Sequence, residues 1–178
     1  MASLAERLGK EVELELLGGE VRLLPSRVST VISVLPHLLR NAIDHGIEPR
    51  GARGDKPERA TVSLCFEDTG AVYQITIADD GRGINVERLR EKAIAAGLLA
   101  VDARPSHEAL CGLIFEPKMS TSDEVTDISG RGEGMGAVAE VVSAAGGFIR
   151  VESTRGTGTH LVIELPKFPA VPATRKAS

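Results

Sequence analysis

The chain has 178 residues, of which 42% are hydrophobic, and its 21 Lys and Arg residues against 25 Asp and Glu residues give a net charge of −4. This length fits one domain with a short tail, and the hydrophobic content excludes a wholly disordered chain. The negative charge and an aromatic content of only 3% disfavour proteins that coat nucleic acids, because those proteins need cations for phosphates and rings for bases. No apolar run is long enough to cross a membrane and no signal peptide pattern is present, so we expect a cytoplasmic protein without membrane insertion.

The first part of the chain contains a strand pattern and, further on, a charged loop. Residues 11–17 alternate polar and apolar side chains, and after Gly18 and Gly19 a second apolar stretch covers 21–24, which predicts a short hairpin. Residues 47–59 are charged and rich in Gly and Pro, which predicts a surface loop.

A long helix is predicted between these two segments. It begins near Pro25 and ends at Gly46, which we expect to form a left-handed cap. Pro36 removes a backbone donor and crowds the preceding turn, so we expect a kink or a restart just before His37.

The second half of the chain mixes hairpins and helices. Two hairpins are predicted, with strands at 61–67, 71–79, 148–154 and 159–165. Three helices are predicted, from 86 to near Gly97 with Asn85 as its cap, at 106–115 with Ser106 as its cap, and at 134–145. Strand pairs mixed with helices predict an α+β fold, with helices on one face of a mixed, mostly antiparallel sheet. The widely spaced Cys65 and Cys111 are predicted to be thiols in or near the core.

The predicted long helix carries a polar face. His37, Asn41, Asp44 and His45 stand at i, i+4, i+7 and i+8, which places them on one side of a helix. An amide oxygen such as that of Asn41 is a hard ligand that suits Mg²⁺, which also takes phosphate oxygens and waters. The alternative is an ordinary solvated polar face, and the helix alone does not decide between the two.

A second candidate site, Asp79-Asp80-Gly81-Arg82-Gly83, directly follows a predicted strand. Two alternating glycines after a carboxylate allow a sharp turn and a close approach to a flat ligand. Asp79 would end the strand facing a pocket, where it could accept a hydrogen bond from an exocyclic amine such as that of adenine. The alternative is an Asp-Gly turn stabilised by its own side chain.

A glycine-rich segment, Gly130-Arg131-Gly132-Glu133-Gly134-Met135-Gly136, opens the last predicted helix. Glycine at every second position exposes backbone N–H groups at a helix N-terminus, which favours phosphate binding, and Arg131 adds a positive charge. The residues before it have the composition of a lid. The alternative is a flexible linker, since the segment matches neither the P-loop nor the dinucleotide-binding motif.

Four segments carry a family resemblance in their order along the chain: HLLRNAIDHGIEPR (37–50), IADDGRGINVERLREKA (77–93), LIFEPKMSTS (113–122) and SGRGEGMGAV (129–138). Together with the final Gly156-Thr157-Gly158-Thr159 they resemble the sequence boxes of the GHKL ATPase superfamily. The resemblance is closest to the ATP-binding catalytic domain of chemotaxis histidine kinases of the CheA type. It covers residues 7–166, leaves 167–178 as a predicted disordered tail, and implies a two-layer α/β sandwich of the Bergerat type with a flexible ATP lid.

The resemblance also implies a role for each matching residue. Catalytic roles fall on His37, Arg40 and Asn41, and Asn41 would hold Mg²⁺ against the triphosphate. Asp79 would accept the adenine amine, and Thr159 would close the base end of the pocket beside it. The complete set of implied ATP-binding residues is Asn41, Asp44, His45, Asp79, Gly81, Gly83, Arg88, Lys92, Ser120, Thr121, Arg131, Gly132, Gly134, Met135 and Thr159.

The implied function is transfer of the γ-phosphoryl group of ATP to a histidine on a separate domain or chain in two-component signalling. The implied partners are a histidine phosphotransfer domain, through it a response regulator, and receptor or adaptor proteins reached through other domains. None of the histidines, which are His37, His45, His107 and His160, has the context of a phosphoacceptor. His37 stands where many superfamily members have a catalytic Glu aligned on water, which favours a kinase over a hydrolase.

Two alternatives remain open at this point. Where the family usually has Pro-Gly-Phe-Ser-Thr, this chain has Pro117-Lys118-Met119-Ser120-Thr121, and where the lid usually ends Gly-Met-Asp, it has Gly134-Met135-Gly136. These departures favour a nucleotide-binding regulatory module without transfer activity. The other alternative is a GHKL-type ATPase that uses hydrolysis to drive a conformational change.

Overall fold

The computed structural model describes residues 5, 7–119 and 134–167. Within this part of the chain five strands form one sheet: β1 (Val12–Leu17), β2 (Ala60–Asp68), β3 (Val72–Asp79), β4 (Phe148–Thr154) and β5 (Gly158–Pro166). Their order in the sheet is β1-β2-β3-β5-β4, with β1 parallel to β2 and every other neighbouring pair antiparallel. The predicted mixed, mostly antiparallel sheet is therefore confirmed.

The helices form a second layer against one face of this sheet. They are α1 (Pro25–Ile32), α2 (Leu35–Asn41), α3 (Val86–Ala95), α4 (His107–Gly112) and α5 (Met135–Ala144), with a π-helical turn at Ala42–Gly46 and 3₁₀ turns at Leu113–Phe115 and Pro117–Met119. Alternate residues of β3, from Tyr73 to Asp79, are buried. They share their face of the sheet with buried residues of β5 such as Ile163, because strand side chains alternate between faces. Asp79 is thus the last residue of a buried apolar row.

The predicted hairpin at residues 11–24 is wrong. Residues 12–17 do form a strand, but β1 pairs in parallel with β2, with Val12 opposite Ala60, and 21–24 form no strand. At the end of β1, Gly18 has φ +70° and passes so close to β2 that an added Cβ would lie 1.9 Å from the Phe66 carbonyl oxygen. The chain therefore runs alongside β2 as far as Gly18 instead of turning back on β1, which the alternating pattern could not reveal.

Substituting Gly18 tests this close approach. Gly18→Ala should lower the free energy of unfolding by about 3 kcal/mol, from left-handed backbone strain and from the clash with β2. Gly51→Ala is the matched control, because Gly51 has φ +74° and nothing within 4 Å of an added Cβ, so it should lose only about 1 kcal/mol. Urea unfolding measures both, and equal losses would contradict the packing of Gly18 on β2.

The restart predicted at Pro36 is confirmed. The chain leaves α1 after Ile32 and begins α2 at Leu35, with the proline in the first turn, where its missing N–H costs nothing. The helical segment ends at Gly46 as predicted, but not through a left-handed cap, because Gly46 does not have a positive φ. The π turn closes through the Ile47 N–H and the Ala42 carbonyl at 2.9 Å instead.

Most of the remaining predicted elements are confirmed. The Asn85 side chain accepts a hydrogen bond from the Arg88 N–H at 3.0 Å and caps α3, and Ser106 caps α4 through the Ala109 N–H at 3.1 Å. The predicted helix at 106–115 changes from α to 3₁₀ geometry after residue 112. The cysteines are free thiols, one half-buried and one buried, as expected.

The predicted lid and tail fall largely outside the described residues. Residues 120–133 and 168–178 are not described, so the predicted lid and all but the first residue of the tail stay predictions. That first residue, Lys167, donates its backbone N–H to Ala71 at 3.2 Å and its Nζ to Asp68 at 2.5 Å. In the described ranges, no helix is long and apolar enough to cross a bilayer.

Candidate functional site

The carboxylate of Asp79 lies at the buried end of β3, opposite Thr159 of β5. Asp79 is only 8% exposed, and its Oδ1 accepts a hydrogen bond from the Gly81 N–H at 2.9 Å. Burial raises the pKa of this carboxyl to about 6, and the neighbouring Asp80 adds to the increase, while the backbone N–H groups of Gly81 and Thr159 oppose it. At neutral pH Asp79 is therefore a shielded, ionised acceptor that would gain from a further hydrogen-bond donor.

Three glycines from different parts of the chain pack around Asp79. An added Cβ at Gly46 would lie 3.1 Å from the Asp79 carboxylate, and one at Gly81 would lie 2.2 Å from the Gly46 carbonyl oxygen. Gly158 has φ +140° and would place a Cβ 1.9 Å from the Asp79 carbonyl oxygen. The wall of the site is thus backbone rather than side chain, with no room for a Cβ at the predicted Gly81 and little room for one at Gly46.

The turn after β3 is also fastened to the β4–β5 hairpin. Gly83 has φ +67°, and a Cβ there would lie 2.3 Å from the Thr154 carbonyl oxygen. Ser153, which is buried, accepts a hydrogen bond from the Ile84 N–H at 2.8 Å and donates one to the Gly158 carbonyl at 2.9 Å. Ser153 is not among the predicted site residues, because nothing in the strand pattern marks a serine that joins three segments.

The amide of Asn41 joins the end of α2 to the start of α5. Its Nδ2 lies 3.1 Å from His37 Nε2 and 3.3 Å from Met135 Sδ. The predicted i, i+4 pairing of His37 and Asn41 is therefore present, and Met135 is brought to it from 94 residues further along the chain. Both contacts use the amide nitrogen, so within the described part of the chain the Oδ1 of Asn41 accepts no hydrogen bond.

The π turn changes the spacing of the other two predicted helix residues. Five-residue hydrogen bonding at Ala42–Gly46 interrupts the α-helical period on which the predicted common face of the four polar residues is based. His45 is exposed, whereas Asp44 Oδ1 is buried with no hydrogen-bond partner among the described residues. The backbone carbonyls of Ile43 and Asp44 accept from Lys10 Nζ at 2.6 and 2.7 Å, and burial lowers the pKa of Lys10.

Several predicted site residues have no described contact with Asn41 or Asp79. Arg40, Arg88 and Lys92 are exposed cations, the last two on α3. Gly134 stands immediately before α5 with an extended backbone. Four predicted residues lie outside the described part of the chain, namely Ser120, Thr121, Arg131 and Gly132.

The predicted surface loop at 47–59 contains charged residues that form ion pairs with each other and with the turn after β3. Its Arg53 side chain is only 1% exposed and forms ion pairs with Glu48 at 3.0 Å and with Asp80 at 2.9 Å. Burial acts to raise the pKa of the Glu48 carboxyl, but the hydrogen bond and charge of Lys56, together with Arg53, leave it below its ordinary value. Most of the loop is exposed, as its composition predicted, but no periodicity could have signalled that Arg53 is buried and that Glu48 and Lys56 are half-buried next to the Asp79–Asp80 turn.

A separate groove lies elsewhere among the described residues. It has a volume of about 470 Å³ and runs between α5 and the 3₁₀ turns, lined by Phe115, Pro117, Gly136 and Ala139 among others. Neither Asn41 nor Asp79 lines it. The site around Asp79 is therefore distinct from this groove and is described by its polar groups and glycine wall.

Comparison with known proteins supports the predicted resemblance. Residues 26–169 match the family model described as histidine kinase-, DNA gyrase B- and HSP90-like ATPase. The chemotaxis protein CheA of Salmonella typhimurium is 39% identical over 165 residues, which cover 92% of this chain and 24% of that protein. The gliding motility regulatory protein of Myxococcus xanthus is 39% identical over 163 residues, which cover 89% of this chain and 21% of that protein. The chain thus spans about a quarter of the length of such relatives.

Solved structures show the same fold at low sequence identity. The catalytic domain of the histidine kinase ThkA superimposes with a TM-score of 0.51 at 18% identity, covering 93% of this chain and 84% of that one. The histidine kinase domain of a blue-light activated kinase from Erythrobacter litoralis gives a TM-score of 0.51 at 18% identity, covering 93% and 60% of the two chains. The glycine-walled carboxylate, the Asn41 helix and these matches lead to one conclusion: the chain belongs to the family of histidine kinase-, DNA gyrase B- and HSP90-like ATPases, as a CheA-like ATP-binding domain.

Proposed function

We propose that this chain binds Mg-ATP and transfers its γ-phosphoryl group to a histidine on a separate domain or chain, as the catalytic domain of a CheA-like histidine kinase. The observation that carries the proposal is the buried Asp79 carboxylate, which has an elevated pKa and a wall made of glycine backbone. Family membership supports ATP as the ligand of such a site.

The adenine base is assigned to the end of β3. Asp79 accepts a hydrogen bond from the exocyclic amine, which compensates for part of the cost of burying the charged carboxylate. Thr159 lies directly opposite Asp79 in the sheet and closes the base end. Gly81 and Gly83 shape the wall beside the base, because their backbones pack against neighbouring segments with no room for a Cβ.

The phosphates are assigned to the side of Asn41 and α5. The Asn41 Oδ1, which accepts no hydrogen bond from the described residues, suits Mg²⁺, and the buried, unpartnered Asp44 Oδ1 is a second acceptor in the same turn of chain. When bound, Mg²⁺ supplies neutralisation of phosphate charge. His45, Arg88, Lys92, Gly134 and Met135 complete the described part of the proposed site, and Ser120, Thr121, Arg131 and Gly132 are assigned to it from the resemblance.

Phosphoryl transfer requires positioning, charge neutralisation and exclusion of water. His37, whose Nε2 lies 3.1 Å from Asn41 Nδ2, would orient the incoming imidazole or accept its proton. Arg40, exposed at the end of α2, would add positive charge near the phosphates. An imidazole at position 37 in place of a carboxylate aligned on water favours transfer over hydrolysis.

The proposed partners are a histidine phosphotransfer domain, through it a response regulator, and receptor or adaptor proteins reached by other parts of the parent protein. The chemotaxis relatives support this assignment to two-component signalling. A cytoplasmic location stays a prediction from the sequence.

The test combines binding with transfer. Calorimetry measures Mg-ATP binding to the chain, and γ-labelled ATP is then added with a separately produced histidine phosphotransfer domain, whose variant with Gln in place of the acceptor histidine is the control. Label on the intact acceptor alone supports the proposal. Binding without label on the acceptor would support a regulatory module, and free phosphate released without an acceptor would support an ATPase. A chain that does not bind Mg-ATP overturns all three functions.

A further inference from the structure

A cluster of charges beneath the turn after β3 centres on Lys56. Its Nζ donates to Glu48 Oε1 at 3.0 Å, to the Asp80 carbonyl at 2.8 Å and to the Gly81 carbonyl at 2.6 Å. An ammonium group has three protons, so these three acceptors saturate it. Lys56 is therefore held in one position although its loop contains neither helix nor strand.

The first of the two backbone acceptors connects Lys56 to Asp79. The peptide unit between Asp80 and Gly81 is planar, so holding its carbonyl oxygen also sets the direction of the Gly81 N–H. That N–H donates to Asp79 Oδ1 at 2.9 Å. Lys56 and the Asp79 carboxylate thus hold opposite ends of one peptide unit, and a positive charge on the carbonyl strengthens the hydrogen bond at the other end.

The second backbone acceptor connects Lys56 to the glycine wall. The Gly81 carbonyl belongs to the next peptide unit, whose N–H, on Arg82, donates to the Gly46 carbonyl at 2.9 Å. An added Cβ at Gly46 would lie only 3.1 Å from the Asp79 carboxylate. Lys56 therefore also holds the peptide unit between Gly81 and Arg82. The N–H of that unit binds Gly46, whose backbone packs against Asp79.

Arg53 stabilises this arrangement through contacts with Glu48, the Pro57 carbonyl and Asp80. Its Nη1 donates to Glu48 Oε2 at 3.0 Å, and its Nε donates to the Pro57 carbonyl at 2.5 Å. Its Nη2 lies 2.9 Å from Asp80 Oδ2, which is an ion pair without a well-aligned hydrogen bond among the described residues. Glu48 is thus held by two cations, and breaking a buried pair of this kind is costly because loss of one partner leaves an uncompensated charge.

We infer that Lys56, anchored by Glu48 and Arg53, is a positioning residue for Asp79 and thereby a determinant of the preference for adenine over purines that lack the exocyclic amine. The inference rests on the proposed adenine role of Asp79. Lys56 itself contacts only backbone carbonyls of the turn and Glu48 in the described structure, so it acts through the direction of the Asp79 carboxylate.

The test compares Mg-ATP with Mg-inosine triphosphate, which has a carbonyl oxygen in place of the amine. Lys56→Met should lower the affinity for ATP about tenfold and that for inosine triphosphate less than about twofold, measured by calorimetry. In an Asp79→Asn background the same substitution should change ATP affinity less than about twofold, because the two residues act as one unit. Glu48→Gln, which weakens the anchor of Lys56, should lower the preference for ATP by a smaller factor.

Arg50→Met is the matched control, since Arg50 is an exposed cation of the same loop that pairs with Glu11 at 2.7 Å. It should leave both affinities unchanged. Equal losses for the two nucleotides in Lys56→Met and Glu48→Gln would indicate a general structural role and overturn the inference. An unmodified chain that binds the two nucleotides equally, or binds neither, would instead overturn the adenine role of Asp79, and the inference with it.

Discussion

Asp79→Asn is expected to lower the affinity for Mg-ATP about a hundredfold. Without nucleotide, the stability of this variant relative to the unmodified chain is expected to be higher at pH 8 than at pH 4. An amide at this position presents a donor as well as an acceptor, so the adenine amine loses its charged acceptor and meets a second N–H group. Binding energy of about 2.7 kcal/mol is lost, which corresponds to the hundredfold change.

The stability effect has the opposite sign because Asp79 is ionised at a desolvated position. Burial raises the pKa of Asp79 from an ordinary value of 3.8 to about 6, so the folded chain binds the proton more tightly than the unfolded chain does. The stability that this carboxyl contributes is fully present below pH 3.8 and is lost as the pH rises through about 6. The free energy of unfolding of Asp79→Asn relative to the unmodified chain should therefore rise by about 3 kcal/mol between pH 4 and pH 8.

Urea unfolding without nucleotide at both pH values and calorimetric titration with Mg-ATP measure the two effects. Asp68→Asn is the matched control, because the pKa of exposed Asp68 is lowered by its hydrogen bonds to Lys167 and Gly70. Because that pKa is lowered, the free energy of unfolding of Asp68→Asn relative to the unmodified chain should fall between pH 4 and pH 8, whereas that of Asp79→Asn rises. Nucleotide binding to Asp68→Asn should be unaffected. A pH-independent difference between Asp79→Asn and the unmodified chain would contradict the desolvated carboxylate.

Asn41→Ala is expected to reduce phosphoryl transfer at least about a hundredfold, because positioning and charge neutralisation of the phosphates are most of what such catalysis requires. The substitution removes the proposed oxygen ligand of Mg²⁺ and also releases His37 and Met135 from the amide nitrogen that joins them. Alanine is a strong helix former, so α2 should remain folded. Adenosine, which carries no phosphate, should bind with an affinity changed less than about twofold.

Initial rates with γ-labelled ATP and a histidine phosphotransfer domain measure the loss, and adenosine binding is measured by calorimetry. Gln74→Ala is the control. Gln74 is an amide on the face of the sheet opposite to the buried side chains of β3, where it donates to Glu67 at 3.0 Å. An Asn41→Ala variant with unchanged transfer would remove Asn41 from the proposed site. A comparable loss of adenosine binding would show that the substitution disturbs the whole site rather than its phosphate end.

Local signals in the sequence predicted most elements because each acts within a few residues. Asn85 and Ser106 cap the helices that follow them, and Pro36 restarts a helix at its first turn. The same kind of signal failed for β1, whose alternation specifies a strand but not its partner, and for Gly46, which is not a left-handed cap and packs closely against a carboxylate 33 residues away.

The candidate site was predictable as a set of residue types and only partly as geometry. Spacing correctly paired His37 with Asn41, whereas the π turn that follows altered the relation of Asp44 and His45 to them. Met135 could be assigned to the site only through the resemblance, since its contact with Asn41 joins residues 94 positions apart.

The sequence by itself determined the elements, the family and the residues from which a nucleotide site could be proposed, because caps, turns and glycine spacing are properties of short segments. Only the tertiary structure decided that Arg53 is buried and that Lys56 donates hydrogen bonds to the carbonyls of Asp80 and Gly81. It also decided that burial raises the pKa of Asp79 to about 6. Pairing, desolvation and ion pairs depend on which distant segments come together, and short-range patterns carry no information about that. The charged loop at 47–59 shows the difference, since its composition correctly predicts an exposed loop, whereas only the packing shows that Arg53 is buried and paired with Asp80.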